Sequence, residues 1–159
     1  MTTASSGGHP LDAETQKQLG IDLFNKTWTL LEKEQRTPDE DDELLHCAHA
    51  SAYHWLQVGT RANRARGEWQ CSRVNAALGR PEAALVHAGR CLELVESAPD
   101  EMEEFDAAAA YEALARAHLV AGNLAEARRY RALGVEATAR IEDEDDRRIV
   151  EADLATIRV

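Results

Sequence analysis

The strongest constraint on what this chain can fold into is a turn that occurs twice. Leu78-Gly79-Arg80-Pro81-Glu82-Ala83-Ala84-Leu85 sets a glycine two residues before a proline, and Ala121-Gly122-Asn123-Leu124-Ala125-Glu126-Ala127-Arg128 repeats the pattern 43 residues on, with Leu124 in the place of the proline. Glycine just past a helix end takes up left-handed backbone without a Cβ penalty. Proline at the first position of a helix gives up only an N–H that has no partner there. Each stretch therefore reads as the bend of a helical hairpin. After the first bend Ala84, Ala88 and Cys91 follow at helical spacing, a stripe of small side chains that lets two helices pack closely. Two such hairpins make an internal repeat.

These residues resemble the tetratricopeptide repeat, a family of antiparallel helix pairs of about 34 residues that stack into a superhelix. Counted from Ala65, the family's small and turn positions fall on Ser72, Gly79, Ala84 and Cys91. Counted from Ala108 they fall on Ala115, Gly122, Ala127 and Gly134, with Tyr111 and Leu114 at large apolar positions. The spacing exceeds the family's by about nine residues, and Asn75 and His118 stand where an aromatic is commonest. The resemblance implies an all-α, tetratricopeptide-like member, a small stand-alone bacterial protein, with repeats at about 65–98 and 108–141. It further implies that a ligand lies in a concave groove formed by the first helix of each repeat. The groove positions are Arg66, Trp69, Arg73 and Ala76, then Ala109, Glu112, Arg116 and Leu119.

The rest of the chain fits that frame. A sequence of 159 residues suits one domain and can bury about 68–70% of its unfolded surface, so no metal or disulfide staple is needed. Few aromatics and no alternating β-branched runs argue for helices alone, six or seven of them. Residues 1–10, rich in Ser, Thr and Gly, read as a disordered leader before a single domain over 11–159. Helix one spans 12–35, with Ile21, Phe24, Trp28 and Leu31 on a stripe flanked by Leu23 and Leu30. Thr37-Pro38-Asp39-Glu40 is a capping box that starts helix two, which runs to Val58. Helices three and four cover 62–78 and 81–97, Pro99 opens helix five, helix six covers 124–140, and a polar cap helix occupies 143–157.

Net charge is −11, which disfavours nucleic acid and anionic membranes as partners. The charge is uneven, because residues 61–94 carry Arg61, Arg64, Arg66, Arg73, Arg80 and Arg90 against Glu68, Glu82 and Glu93. An anionic ligand is steered to such a region. Cys47, Cys71 and Cys91 form no close pair, which suits a reducing cytoplasm, and neither a membrane span nor a signal peptide is apparent.

Two constellations carry chemistry. Taking ~100° per residue, Arg66 and Arg73 fall within about 60° of Trp69 on helix three. Arginines beside an indole suit a carboxylate on an apolar body, such as a peptide C-terminus. On this reading Arg66, Trp69, Arg73, Glu112 and Arg116 bind a peptide, a partner protein or an anionic small molecule. The other reading makes Arg73, Arg116, Glu68 and Glu112 inter-helix ion pairs that set the stacking. On helix two, Asp42, His46 and His49 share a face and could supply two histidines and a carboxylate to Zn²⁺ or Fe²⁺, completed by Glu43, Glu68 or His87. The alternative there is histidines that hydrogen-bond neighbouring helices. His87 and Cys91 lie four apart, but Cys91 sits at a small packing position and reads as core. G-x-S-x-G, phosphate-loop and H-E-x-x-H motifs are missing. The sequence thus favours an interaction module with no cofactor, whose partner is a peptide, a protein or a second copy of the chain as a homodimer. A small enzyme or metal protein built on the helix-two histidines with Glu68, Arg73, His87, Glu112 and Arg116 is the alternative.

Overall fold

A computed structural model describes residues 10–159. The expected leader lies outside the described residues except for Pro10. Among the described residues there are seven α-helices and no strand: α1 Ala13–Leu31, α2 Pro38–Val58, α3 Arg61–Ala77, α4 Pro81–Ser97, α5 Glu104–Val120, α6 Leu124–Thr138 and α7 Glu144–Ala155. Helices α1/α2, α3/α4 and α5/α6 pack as antiparallel hairpins, α2 on α3 and α4 on α5 join them, and α7 lies on α5 and α6.

Local chemistry sets the ends. The Thr37 hydroxyl accepts from the Glu40 N–H while the Glu40 carboxylate accepts from the Thr37 N–H, and Thr60 with Asn63 builds the same reciprocal cap for α3. Gly79 and Gly122 have φ of 68° and 79°. At the first turn the Arg80 N–H donates to the Asn75 carbonyl at 2.8 Å and Gly79 N–H to Ala76 at 3.1 Å; at the second, Asn123 donates to His118 at 2.9 Å and Gly122 to Leu119 at 3.0 Å. Both hairpins thus close with one hydrogen-bond pattern, which consumes the carbonyls the helix ends would leave bare. One expected boundary is corrected. Pro99 opens only a short 3₁₀ turn, Pro99–Glu101, after which Met102 is extended, and α5 begins at Glu104, where the Asp106 carboxylate accepts from the Glu103 N–H at 2.8 Å. Proline satisfies the first turn of either helix type, and the Asp106 side chain downstream, bonded back to the Glu103 N–H, decides where α-helix starts.

The core is built largely of small residues. Ala76, Ala84, Ala88, Ala113 and Ala117 pack with Leu114 between the two repeats, and Ala65, Cys91, Val95 and Ala110 pack beside them. A buried methyl contributes on the order of 1 kcal/mol, so the number and closeness of contacts, rather than large side chains, hold these helices together. Buried hydroxyls and amides reach across to neighbouring backbones: Ser51 to the Gly20 carbonyl (2.7 Å), Gln70 to Phe24 (3.0 Å) and Ser72 to Ala84 (2.9 Å). The stripe read on helix one is only partly taken into the core: Leu30 is buried there and Leu31 packs against it, while Ile21, Phe24 and Trp28 are half-buried. Gly20, Thr27 and Leu30 are the buried residues of α1, while Phe24 borders a groove and Trp28 lies 5.5 Å from Trp69, ring centre to ring centre.

Candidate functional site

Helix α3 presents Arg66, Trp69 and Arg73 at intervals of three and four residues, and α5 presents Phe105, Ala109, Glu112 and Arg116 likewise, so both sets face one groove. The structure brings together all five residues the sequence assigned to it, with Glu112 at their centre. That carboxylate is 1% exposed. It accepts from the Trp69 indole N–H at 3.1 Å, from Arg73 Nη1 at 3.1 Å and from Arg116 Nε at 2.6 Å. Arg73 also bonds Asp153 of α7 at 3.1 Å, and Arg116 bonds the Asp153 carbonyl and the Thr156 hydroxyl. Arg66 grips Asp106 in a fork, with both bonds at 2.9 Å, and lies 4.9 Å over the Phe105 ring. Hydrogen bonding to Asp106 holds its guanidinium even more firmly protonated than usual.

Each of the three guanidiniums therefore already holds a carboxylate of the chain itself. Three arginines meet Asp106, Glu112 and Asp153, so the groove is close to neutral. The positive excess of residues 61–94 is matched here by acids from α5 and α7. Asp106 and Asp153 were not singled out in the sequence. Their partners lie 40 and 80 residues away, a separation at which helical spacing says nothing of register.

Between the paired charges is an apolar pocket of about 280 Å³. Its walls come from five helices: Phe24 of α1, Trp69 of α3, Cys91 of α4, Phe105 and Ala109 of α5, Ile149 and Val150 of α7. A shallower hollow of about 150 Å³, bordered by Ile21 and Trp55, shares Phe24 and Arg66 with it, so the groove continues toward α1 and α2.

The metal set weighed as the alternative on helix two is not assembled. Among the described residues no group of three or more His, Cys, Asp or Glu side chains is placed to hold a metal ion, Asp42, His46 and His49 included. Asp42, His46 and His49 do share a face of α2, but all three are exposed to solvent. His54 turns the other way and bonds Gln16 at 2.6 Å. His49 does find company: its ring lies edge-on to His87, 5.1 Å between centres, and His87 Nδ1 sits 2.6 Å from Glu68 Oε2. Desolvation of the ring, then the nearness of His87, holds the His49 pKa below the ordinary imidazole value. These groups border a third hollow, of about 220 Å³, with Arg64, Arg90, Tyr53 and Cys71. At ~100° per residue, Arg64, Glu68 and Cys71 lie on nearly the opposite side of α3 from Arg66, Trp69 and Arg73. Glu68 and His87 are thus in one cluster and Arg73, Glu112 and Arg116 in another.

Thiol chemistry is unfavourable at both places. Burial pushes the Cys71 thiol up to about 12, and Cys91 is raised for the same reason. His87 is engaged with Glu68 rather than with Cys91.

Fold and clusters together define an all-α stack of antiparallel helix pairs with a walled apolar groove on one side and a polar hollow on the other. No protein-family model, curated protein or solved structure matches the chain. No helix among the described residues is long and apolar enough to cross a membrane.

Proposed function

We propose that this protein is a helical-repeat interaction module of the tetratricopeptide type, working in a reducing bacterial cytoplasm, which holds a peptide segment of a partner protein in the groove of α3 and α5. The observation that carries this is the pocket of about 280 Å³ with apolar walls from five helices, close to the lower end of the ~300–1,000 Å³ typical of ligand sites. It suits one large apolar side chain. The ion pairs around it act as a frame: with their charges already matched, they hold Trp69 and Phe105 in place without asking an apolar guest to desolvate a lone charge. A carboxylate beside that side chain has one favourable place. The Arg66 side chain is 33% exposed, against 18% for Arg73 and 16% for Arg116, and its bonds to Asp106 use Nε and Nη2, leaving Nη1 for a guest.

The test is selection from a random peptide library with free C-termini, repeated on Ala109→Trp, which fills the pocket from a half-buried position. Enrichment of peptides with a large apolar residue is expected. Ala109→Trp should weaken them roughly tenfold or more while melting near wild type. No enrichment by the wild type, or equal binding by a folded Ala109→Trp, overturns the reading.

A further inference from the structure

We propose a second, separate binding site in the hollow between α2, α3 and α4, taking a compact oxyanion carried on a small apolar body, with Arg64 and Arg90 as its cationic clamp and Tyr53 and Leu56 as its apolar wall. The inference rests on a contrast within the molecule. In the groove every guanidinium is matched by a carboxylate. Here Arg64 and Arg90 border one hollow, and neither has a carboxylate partner among the described residues. Arg64 Nε is buried with no hydrogen-bond partner, although Nη2 of the same group donates to the Leu56 carbonyl at 3.1 Å. A buried N–H without an acceptor is uncommon enough to need a reason, and an incoming oxyanion supplies one.

The acid in this hollow does not oppose an anion as it first appears to. Glu68 is already partnered by the His87 ring, with Nδ1 2.6 Å from Oε2, whereas the two arginines stand without a carboxylate partner of their own. That contact takes up the Nδ1 edge of the imidazole and leaves Nε2 without a partner among the described residues. In a chain of net charge −11, a cationic hollow of this kind is a local inversion that draws anions from solution. Guanidinium groups prefer planar or tetrahedral oxyanions, which they grip through paired N–H bonds.

The other half of the site is apolar. Tyr53 and Leu56, one turn apart on α2, are 58% and 52% exposed and border the same space. A volume of about 220 Å³ exceeds what a bare oxyanion needs and leaves room for a ring against Tyr53. Charge at one end and an apolar plate at the other describe an aromatic phosphate or carboxylate better than a free inorganic ion.

Titration by nuclear magnetic resonance decides the matter, with phenyl phosphate and benzoate as probes, and inorganic phosphate and phenol as the two halves of the first. Saturable shifts confined to α2, α3 and α4 are expected with phenyl phosphate or benzoate, and the stronger of the two identifies the head group. Inorganic phosphate and phenol should each bind roughly tenfold more weakly or worse. Arg90→Gln, at an exposed position, should weaken binding by a similar factor, as should Arg64→Gln; should the latter fail to fold, Arg90→Gln alone decides. Ala109→Trp, which fills the groove on the other side of α3, should change nothing, so the two sites stand or fall separately. Phenol binding as well as phenyl phosphate, shifts that do not saturate, or an Arg90→Gln titration that superimposes on the wild type would overturn the proposal.

Discussion

Glu112 sets the energetics of the groove at the scale of single residues. A carboxylate 1% exposed is several kcal/mol worse off than in water unless it is paired and hydrogen-bonded, and Trp69, Arg73 and Arg116 together provide for it. Arg73 does more than its neighbours because it ties Glu112 of α5 to Asp153 of α7 from α3. Breaking a buried pair from one side usually costs about 3–5 kcal/mol. Here Arg116 and Trp69 remain on Glu112, which brings the expected cost of Arg73→Ala to about 2–3 kcal/mol, or ~4–12 °C in a chain of this length. A thermal melt beside wild type reads it directly. A midpoint within about a degree would mean that solvent screens the pair and that the arginine is free to serve a ligand. The sequence could place Arg66, Trp69 and Arg73 on one face of a helix, since spacing alone determines that. It could not show that their charges were already spent, because Asp106 and Asp153 reach them only through the stacking of other helices.

At the scale of elements, what was legible was whatever has a local cause. The two glycine turns, the Thr37 cap and the small stripe of α4 each work within about five residues, and each appears where the sequence put it. The start of α5 was misplaced because two local signals, Pro99 and the Glu103–Asp106 cap, competed within one short stretch. The dual role of α7 was half legible. Val150, Leu154 and Ile157 do pack inward as a cap, with Ile141 and Ala108, but Ile149 and Asp153 also close the end of the groove, which no pattern within the helix reveals. Leu154 is the main anchor: it is 2% exposed and sits over Gly134 of α6, where an added Cβ would come within 3.0 Å of its Cδ2. Leu154→Ala is expected to cost about 2–5 kcal/mol and to loosen α7 ahead of the other helices. Amide exchange measured helix by helix checks this; if α7 keeps its wild-type protection while the whole protein loses stability uniformly, α7 is not a separately docked element.

Two opposing terms govern how the whole molecule responds to pH. Lowering pH from 7.5 toward 5.5 reduces a net charge of −11 and relieves self-repulsion, which favours the folded state, but at about 0.15 M salt charges more than ~8 Å apart are largely screened. The histidines act the other way. Desolvation holds the pKa values of both His49 and His118 below the imidazole norm in the folded state. His49 is faced by His46 of its own helix, Glu68 of α3, His87 of α4 and Arg80 at the α4 cap; His118 is stacked on Tyr130 with Glu126 and Arg129 nearby. Between the folded and unfolded pKa values the unfolded chain binds more protons, so stability rises with pH there and is lost as pH falls through about 6.5. At physiological salt the histidine contribution should prevail, and the thermal midpoint should drop between pH 7.5 and 5.5. The double variant His49→Gln, His118→Gln should flatten that drop, and lowering the salt should shrink it by giving the net-charge term more reach. A double variant whose midpoint declines as steeply as wild type over that range would assign the effect to other groups.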